Sequence, residues 1–326
     1  MLDFLTLKPE VFGLDISDLS LRIIKLKRRG DFLNLASFDE AEIQPGIIES
    51  GEIKNESVLV EIIKKAIAGV KGEKLKTKYI TASLPEEKTF MQVIQLPKME
   101  EGEAQKSVYF EAENYIPMPV EKAYVDSQIV YPLKNHLNHL DVLLAAVPKE
   151  TVDSYLSVLK KSGLSPLVLE SESQAVARAL IKDGKSSEPV LLLDLGSSAT
   201  TFIIFSGYSI RFTTSLLITP RKDNLGNLAE QIKKYLDYYQ THSAHEHLAS
   251  SLDGRGVARI ILCGSGANLK GLDDFLAQKL NLPVALGNPW VNILPHPLKE
   301  VPELSYGDSL KYTAALGLAL RGMNYD

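Results

Sequence analysis

The sequence predicts an α/β protein of two related lobes, each built on a sheet, with a compact α+β block inserted in the first. Three observations predict this. At 326 residues the chain is too long for one ordinary core and divides naturally into two packed lobes. A strand–Asp–turn–strand pattern from Val11 to Leu26 returns from Val190 to Phe205. Residues 86–167, lying between the two, alternate strands and helices in a different rhythm.

The opening pattern has apolar Phe12, Leu14 and Ile16, the turn Ser17-Asp18, then Leu19, Leu21 and Ile23 alternating with Ser20 and Arg22. Asn55 to Ala68 reads as an amphipathic helix, with Val58, Ile62, Ile63, Ala66 and Ile67 on one stripe. Tyr79 to Leu84 is a short strand ending at Pro85. In the inserted block, Gln92 to Leu96 is a strand and Glu101 to Tyr115 a charged helix. Ile116-Pro-Met-Pro119 stops that helix, because proline cannot continue it. Asp126 to Tyr131 and Leu140 to Val147 are strands, and Lys149 to Lys161 is a helix closed by Gly163.

In the second pattern, setting Asp15 on Asp194 places Ser17 on Gly196 and Ile23 on Phe202. Both Asp residues then end a buried strand just before a turn, which marks an internal repeat. Asn227 to Gln240 is a helix with Leu228, Ile232, Tyr235, Leu236 and Tyr239 on one face. Arg259 to Cys263 is a strand running into Gly264-Ser-Gly266, Leu269 to Leu280 a helix, and Leu310 to Leu320 a closing helix rich in small residues. The expected division is residues 1–85 with 168–188 as the first lobe, 86–167 as the insert, 189–307 as the second lobe and 308–326 as a connecting helix.

Composition removes several functions. Basic and acidic residues number 36 and 41, for a net charge of −5, which argues against nucleic acid as the main partner, because phosphate binding needs a basic face. The one cysteine, Cys263, forms no internal disulfide and suits a reducing compartment. No apolar run reaches the roughly 20 residues that span a bilayer, and Met1 to Lys8 lacks the plan of a signal peptide. A cytoplasmic protein is expected.

Two constellations carry chemistry. In Asp194-Leu-Gly-Ser-Ser-Ala-Thr200, a strand-end carboxylate suits magnesium held through water. Gly196, Ser197 and Ser198 can turn backbone N–H groups inward as a nest for phosphate. A plain hairpin turn calls for the same Asp-x-Gly-Ser. In Ile260-Ile-Leu-Cys-Gly-Ser-Gly-Ala-Asn-Leu-Lys-Gly271, glycines at a strand end permit close backbone approach by a ligand, and the following helix offers its positive end. The spacing Gly264-x-Gly266-x-x-Leu269 lacks the third glycine of a dinucleotide fingerprint, and no acid stands at the ribose position. An ordinary strand-to-helix turn remains an alternative.

The order Asp hairpin, insert, second Asp hairpin, helix and strand-Gly-Ser-Gly-helix resembles the actin-like ATPase superfamily over nearly the whole chain. Ser171-Glu-Ser-Gln-Ala-Val-Ala-Arg-Ala179 and Tyr312-Thr-Ala-Ala-Leu-Gly-Leu-Ala319 look like its paired connecting helices, whose small faces allow a close crossing and a pivot. Within the superfamily, five segments resemble the PilM family of type IV pilus assembly: Gly13-Leu-Asp-Ile16, Glu113-Asn-Tyr-Ile-Pro-Met-Pro119, Gly266-Ala-Asn-Leu-Lys-Gly271, Asn288-Pro-Trp290 and Ala314 to Gly322.

The resemblance implies an FtsA-type insert (subdomain 1C) at 86–167. It implies a cleft for ATP and magnesium, with Asp15 and Asp194 holding the metal through water. Ser17, Asp194, Gly196, Ser197, Ser198, Thr200, Gly264, Ser265, Gly266 and Ala267 would then face the nucleotide. It also implies a partner, the N-terminal cytoplasmic peptide of a PilN-type inner-membrane protein, docked between the first lobe and the insert. The protein would be peripheral to that membrane through its partner. Tyr115 to Pro119 is the stretch proposed first for that groove.

Two departures bear on the nucleotide. Ser17 stands where the family has glycine, losing access to positive φ. Only Phe212 to Gly226 connects the second hairpin to the next helix, so most of the helical subdomain (2B) that encloses adenine is missing. At most a slow ATPase is expected. Two alternatives remain open: a sugar or carboxylate kinase of the same superfamily, which would need a catalytic base the sequence does not supply, and an FtsA-like division filament.

Other features read as structural. His242, His245 and His247 do not share one helical face and read as a solvated helix end rather than a metal site. Trp290 reads as a packed anchor, the basic run Lys25 to Arg29 as solvated, and Met1 to Leu7 as too short for a membrane anchor.

Overall fold

The computed structural model describes residues 9–30, 32–131, 138–242, 256–295 and 297–323. Strand β1 (Phe12–Ile16) turns through Ser17 into β2 (Ser20–Arg29), with Asp15 opposite Arg22. β3 (Phe32–Glu42), which the sequence reading did not identify, continues antiparallel to β2. Its inward Leu35 and Phe38 lie among polar neighbours that blur the alternation. A two-strand ribbon, β4 (Ile48–Glu49) and β5 (Glu52–Ile53), leads to α1 (Glu56–Gly69). The Asn55 side chain accepts the Val58 N–H at 3.2 Å and caps that helix, which buries Leu59, Ile63 and Ala66. β6 (Lys71–Gly72) and β7 (Tyr79–Leu84) complete the first part.

The block that follows contains β8 (Phe90–Pro97), α2 (Glu101–Ala112), β9 (Ala123–Val130), β10 (His139–Pro148) and α3 (Lys149–Lys161). The chain returns through β11 (Ser165–Ser171) and α4 (Glu172–Leu180). The second part holds β12 (Ser186–Leu195), β13 (Thr200–Gly207), β14 (Ser209–Leu216) and α5 (Leu225–His242). Then come β15 (Arg259–Cys263), α6 (Leu272–Leu280), β16 (Val284–Leu286), α7 (Tyr306–Ser309) and α8 (Thr313–Met323). α6 begins three residues after the expected Leu269, because Gly271 sits at φ +79° and a 3-10 turn fills Ser265–Asn268.

One sheet runs β11-β7-β1-β2-β3-β6, the other β16-β15-β12-β13-β14-β8-β10-β9. The first five strands of each follow one plan. A central strand ends in Asp, pairs antiparallel with its hairpin partner and lies parallel to a strand on its other side. Leu14 faces Ile23 as Leu193 faces Phe202, so the repeat read from the sequence holds in register.

The inserted block bridges the two sheets. Helix α3 buries Val152, Tyr155, Val158 and Leu159 in the core of the first sheet. Its three strands instead extend the second sheet, where β8 meets β14 at Gln92 and Phe212. Buried Arg211 of β14 holds Asp141 of β10 at 3.0 Å across that join.

Helices α4 and α8 cross at small residues. A Cβ added to Gly317 would stand 1.9 Å from the Ala175 carbonyl oxygen. One added to Gly13 would stand 2.5 Å from that of Ala315, so β1 lies directly against α8. Trp290 is 5% exposed and packs with Ile24, Tyr312 and Leu316, as an anchor does. The basic run is less solvated than expected. Lys25 is buried and paired with Glu10 at 2.6 Å, Lys27 pairs with Glu73, and Arg29 pairs with Glu300. His245, His247 and Met1 to Leu7 lie outside the described residues.

Candidate functional site

The two Asp-ending strands point into one narrow cleft. Asp15, Ser17, Asp194, Gly196, Ser197, Ser198, Gly264 and Ser265 all line it. Gly264 has φ +84°, and a Cβ there would fall 2.3 Å from an Asp194 carboxylate oxygen. Only glycine lets the turn after β15 approach the end of β12 this closely.

Three residues proposed from the sequence do not reach the cleft. Thr200 is fully buried, and its hydroxyl donates to the Ile218 carbonyl at 2.5 Å. Ala267 is part of the apolar core beneath the second sheet. Gly266 faces Pro220, whose Cγ would lie 2.5 Å from an added Cβ. The Pro220 segment therefore covers the side of the Gly-Ser-Gly turn that the sequence reading reserved for adenosine. The Ser17 hydroxyl is held in its own turn, bonded to the Ser20 carbonyl at 3.2 Å and facing the Ser20 hydroxyl at 2.9 Å.

The cleft is strongly acidic. Glu87 and Glu172 join Asp15 and Asp194 in its wall. Burial pushes the Asp15 carboxyl up, against Arg22 at 3.9 Å and Ser83, which pull it down. Burial, then the charge of Asp15, push Asp194 up to about 6. Burial lifts Glu172 well above the usual carboxylate range, and Asp15, Glu87 and Asp194 add to it. The cations at the cleft are shared with Glu40: Arg22 also holds it at 3.0 Å, and Lys311 pairs with the same carboxylate.

Two buried polar atoms at the cleft, Asp15 Oδ1 and the Tyr155 hydroxyl, have no hydrogen-bond partner among the described residues. Such orphans mark a place where a cation or water-bound ligand completes the bonding. Among the described residues no group of three or more His, Cys, Asp or Glu is arranged to hold a metal alone. Glu87, Glu172 and Tyr155, which also line the cleft, were missed from sequence. Glu172 follows the helix cap Ser171, whose hydroxyl accepts the Gln174 N–H at 3.3 Å, and an acid beside a strand-end cap was the available signal.

A second, more open concavity lies between the first sheet and the insert. It is lined by β9 and β11, the terminal strands of the two sheets, through Tyr124, Val125, Asp126 and Gln128 on one side and Val168, Leu169 and Glu170 on the other. Arg178 closes one part of it, gripping Glu170 with Nη2 at 2.8 Å from Oε2. The Tyr115 to Pro119 stretch lies elsewhere. Ile116 is 6% exposed in the insert's own core with Ala104, Val108 and Val120, and Tyr115 does not line the groove.

The family model described as type IV pilus assembly protein PilM matches residues 13–216 and 213–323. Among solved structures, the chain is similar to one titled PilM-PilN type IV pilus biogenesis complex. That match has 24% identity and a TM-score of 0.73, and covers 97% of this chain and 99% of that one. It is also similar to the cytoplasmic domain of EpsL, an inner-membrane component of the type II secretion system of Vibrio cholerae. There the identity is 12% and the TM-score 0.50, over 95% of this chain and 94% of that one. The match to that complex shows a shared fold over nearly the whole of both chains. No helix of the described residues is long and apolar enough to cross a membrane.

Proposed function

This chain belongs to the type IV pilus assembly protein PilM family, and from that premise we propose that it is a scaffold gripping the N-terminal cytoplasmic peptide of a PilN-type inner-membrane protein. The observation that carries this reading is the groove with a terminal strand of a different sheet on each side. Edge strands offer unpaired N–H and C=O groups, so an extended peptide gains main-chain hydrogen bonds while side-chain pockets select its sequence. Val125, Ala145, Val147, Val152 and Leu169 supply apolar pockets along the groove. The partner anchors the protein at the inner membrane. Binding measured by calorimetry, with and without a substitution at Tyr124, tests the assignment.

The cleft is the second half of the reading. Asp15 and Asp194 would hold magnesium through water, and the Gly196–Ser198 turn would present N–H groups to phosphate. The unpartnered Asp15 Oδ1 fits that use. Bound there, magnesium would neutralise phosphate charge. Without it, the acids of the cleft repel a nucleotide.

The grip on the base is weak. Among the described residues β14 runs to α5 through 217–224 with no helix between them, and Pro220 closes over Gly266. One face of adenine is left in water and loses burial worth about 25 cal/mol per Å². Among the described residues no helical segment after β14 stands ready to close over the phosphate, exclude water and align a nucleophile, so hydrolysis is slow or absent.

A further inference from the structure

The end of the first sheet farthest from Asp15 is basic. It is built from the last residues of β2 and from the strap 74–78, which carries the chain from β6 to β7. The strap passes the start of β1, where the Thr77 hydroxyl donates to the Glu10 carbonyl at 2.7 Å. Asp15 stands at the other end of that strand. Part of the basic charge is paired: Lys25 with Glu10 at 2.6 Å, Lys27 with Glu73, and Arg29 with Glu300 at 2.7 Å. Among the described residues Arg28, Lys74, Lys76 and Lys78 have no carboxylate partner, and all four are exposed. In a chain of net charge −5 this is a segregated patch, with the acids of the cleft at the opposite end.

Beside the patch, a loop holds apolar side chains out in water. Leu298 is 49% exposed and Val301 84%. The loop is pinned in place. Glu300 accepts from Arg29 and from the Asn34 side chain, and the Lys299 ammonium lies 5.0 Å from the centre of the Phe32 ring. Single apolar side chains on a surface are ordinary. A pair fixed beside unpaired cations is a different feature, because an anionic bilayer rewards both: cations meet the lipid headgroups, and apolar tips enter the interface beneath them. The groove reaches the same end of the molecule. Arg321 lines the groove, and the next residues, Gly322 and Met323, line a concavity with Lys25, Lys27 and Arg28. A peptide that continues into a membrane protein can leave the groove beside this face.

We propose that this end of the first sheet lies on an anionic lipid surface, with Arg28, Lys74, Lys76 and Lys78 on the headgroups and Leu298 and Val301 dipping between them. The protein then touches the membrane directly, besides being tethered to it. The proposal rests on the functional reading above only for the nearness of a membrane; the lipid contact itself needs neither peptide nor nucleotide. Attraction between exposed charges fades beyond about 10 Å at 0.1 M salt, so the face acts once a tether has brought it close.

The test is flotation of the full chain with vesicles of phosphatidylcholine alone, or with about one-third phosphatidylglycerol. Binding to the anionic vesicles should exceed binding to the neutral ones by about fivefold or more, and should vanish as salt rises from about 0.05 to about 0.5 M. Lys74→Glu combined with Lys76→Glu and Lys78→Glu should lower it about tenfold. The control, Lys222→Glu with Lys233→Glu and Lys234→Glu, makes the same charge change at exposed sites elsewhere and should alter binding less than about twofold. Leu298→Ser with Val301→Ser should lower binding about threefold and keep its salt dependence. The strap variant should still bind a PilN-type peptide as wild type does, which separates failure of the lipid contact from failure of the functional reading. A wild-type protein with no preference for anionic vesicles overturns the proposal, as does an equal loss in the control. Salt-sensitive self-association without vesicle binding would assign the face to a second copy and overturn it as well.

Discussion

Gly317 of α8 lies against the backbone of Ala175 of α4, so close that a Cβ on the glycine would stand 1.9 Å from the Ala175 carbonyl oxygen. Helix α8 packs on the first sheet and α4 on the second, so this contact fixes how the two sheets meet. Backbone cannot yield as a flexible side chain does, so Gly317→Ala should cost about 2–4 kcal/mol. Gly226 on α5 is the control, because a Cβ there meets nothing within 4 Å. Gly226→Ala should be neutral or slightly stabilising. Denaturant unfolding of the two variants checks both, and equal midpoints would show that the crossing is looser than described.

The join between insert and second sheet makes a separate prediction. Arg211 has a 1% exposed side chain and depends on Asp141. Asp141→Ala leaves a buried guanidinium without its counter-charge, at a cost of about 3–5 kcal/mol. Replacing both residues by apolar ones of similar volume should recover much of that loss. A single variant as stable as wild type would argue against the two strands sharing one sheet.

Stability should fall as pH rises through the range where the cleft acids ionise. Asp194 is raised from its ordinary 3.8 to about 6. A carboxyl with a folded pKa above its unfolded value contributes stability that is complete below about pH 4 and lost as pH rises through about 6. Asp194→Asn removes that loss and should stabilise the ligand-free protein at neutral pH by about 1–2 kcal/mol, discounted for the partial exposure of the group. Thermal melts from pH 4 to pH 8 check the sign, and a destabilised Asp194→Asn protein at neutral pH would refute it.

Nucleotide binding should be weak, magnesium-dependent and without steady phosphate release. Gly266→Ala, which would probe adenosine contact in a fuller cleft, should act here on the fold. Its Cβ meets the Pro220 ring, at a cost of about 1–3 kcal/mol. Tight ATP binding with turnover would show that the short 217–224 connection does not open the base pocket.

Peptide recognition separates two exposed tyrosines. Tyr124 is 48% exposed and lines the groove, while Tyr115 is 38% exposed and does not. Tyr124→Ala should weaken peptide binding about tenfold, as loss of an aromatic anchor does. Tyr115→Ala should change it by less than about twofold. Equal losses would place the peptide elsewhere on the insert.

How much was legible follows from range. The repeat of Asp15 and Asp194 and the small-residue helices were readable, because both are local patterns with a backbone reason. β3 was not, since polar residues interrupt its alternation. The pairing of β8 with β14 was not either, because it rests on Gln92 meeting Phe212, far apart in sequence and silent in local pattern. The same limit hid Glu172, whose acidity matters only once burial brings it beside Asp15. The short connection after Phe212 was visible, but only the structure puts Pro220 over Gly266. Tyr115 to Pro119 suggested a binding stretch by composition, yet Ile116 serves the insert's core.

The central claim is that the groove between β9 and β11 takes a partner's peptide. Calorimetry of the full chain titrated with a PilN-type N-terminal peptide tests it most directly. The account predicts saturable one-to-one heat, an upward shift in melting temperature by mass action, and about tenfold weaker binding with a smaller shift in Tyr124→Ala at the same peptide concentration. No heat and no thermal shift at saturating peptide would contradict it.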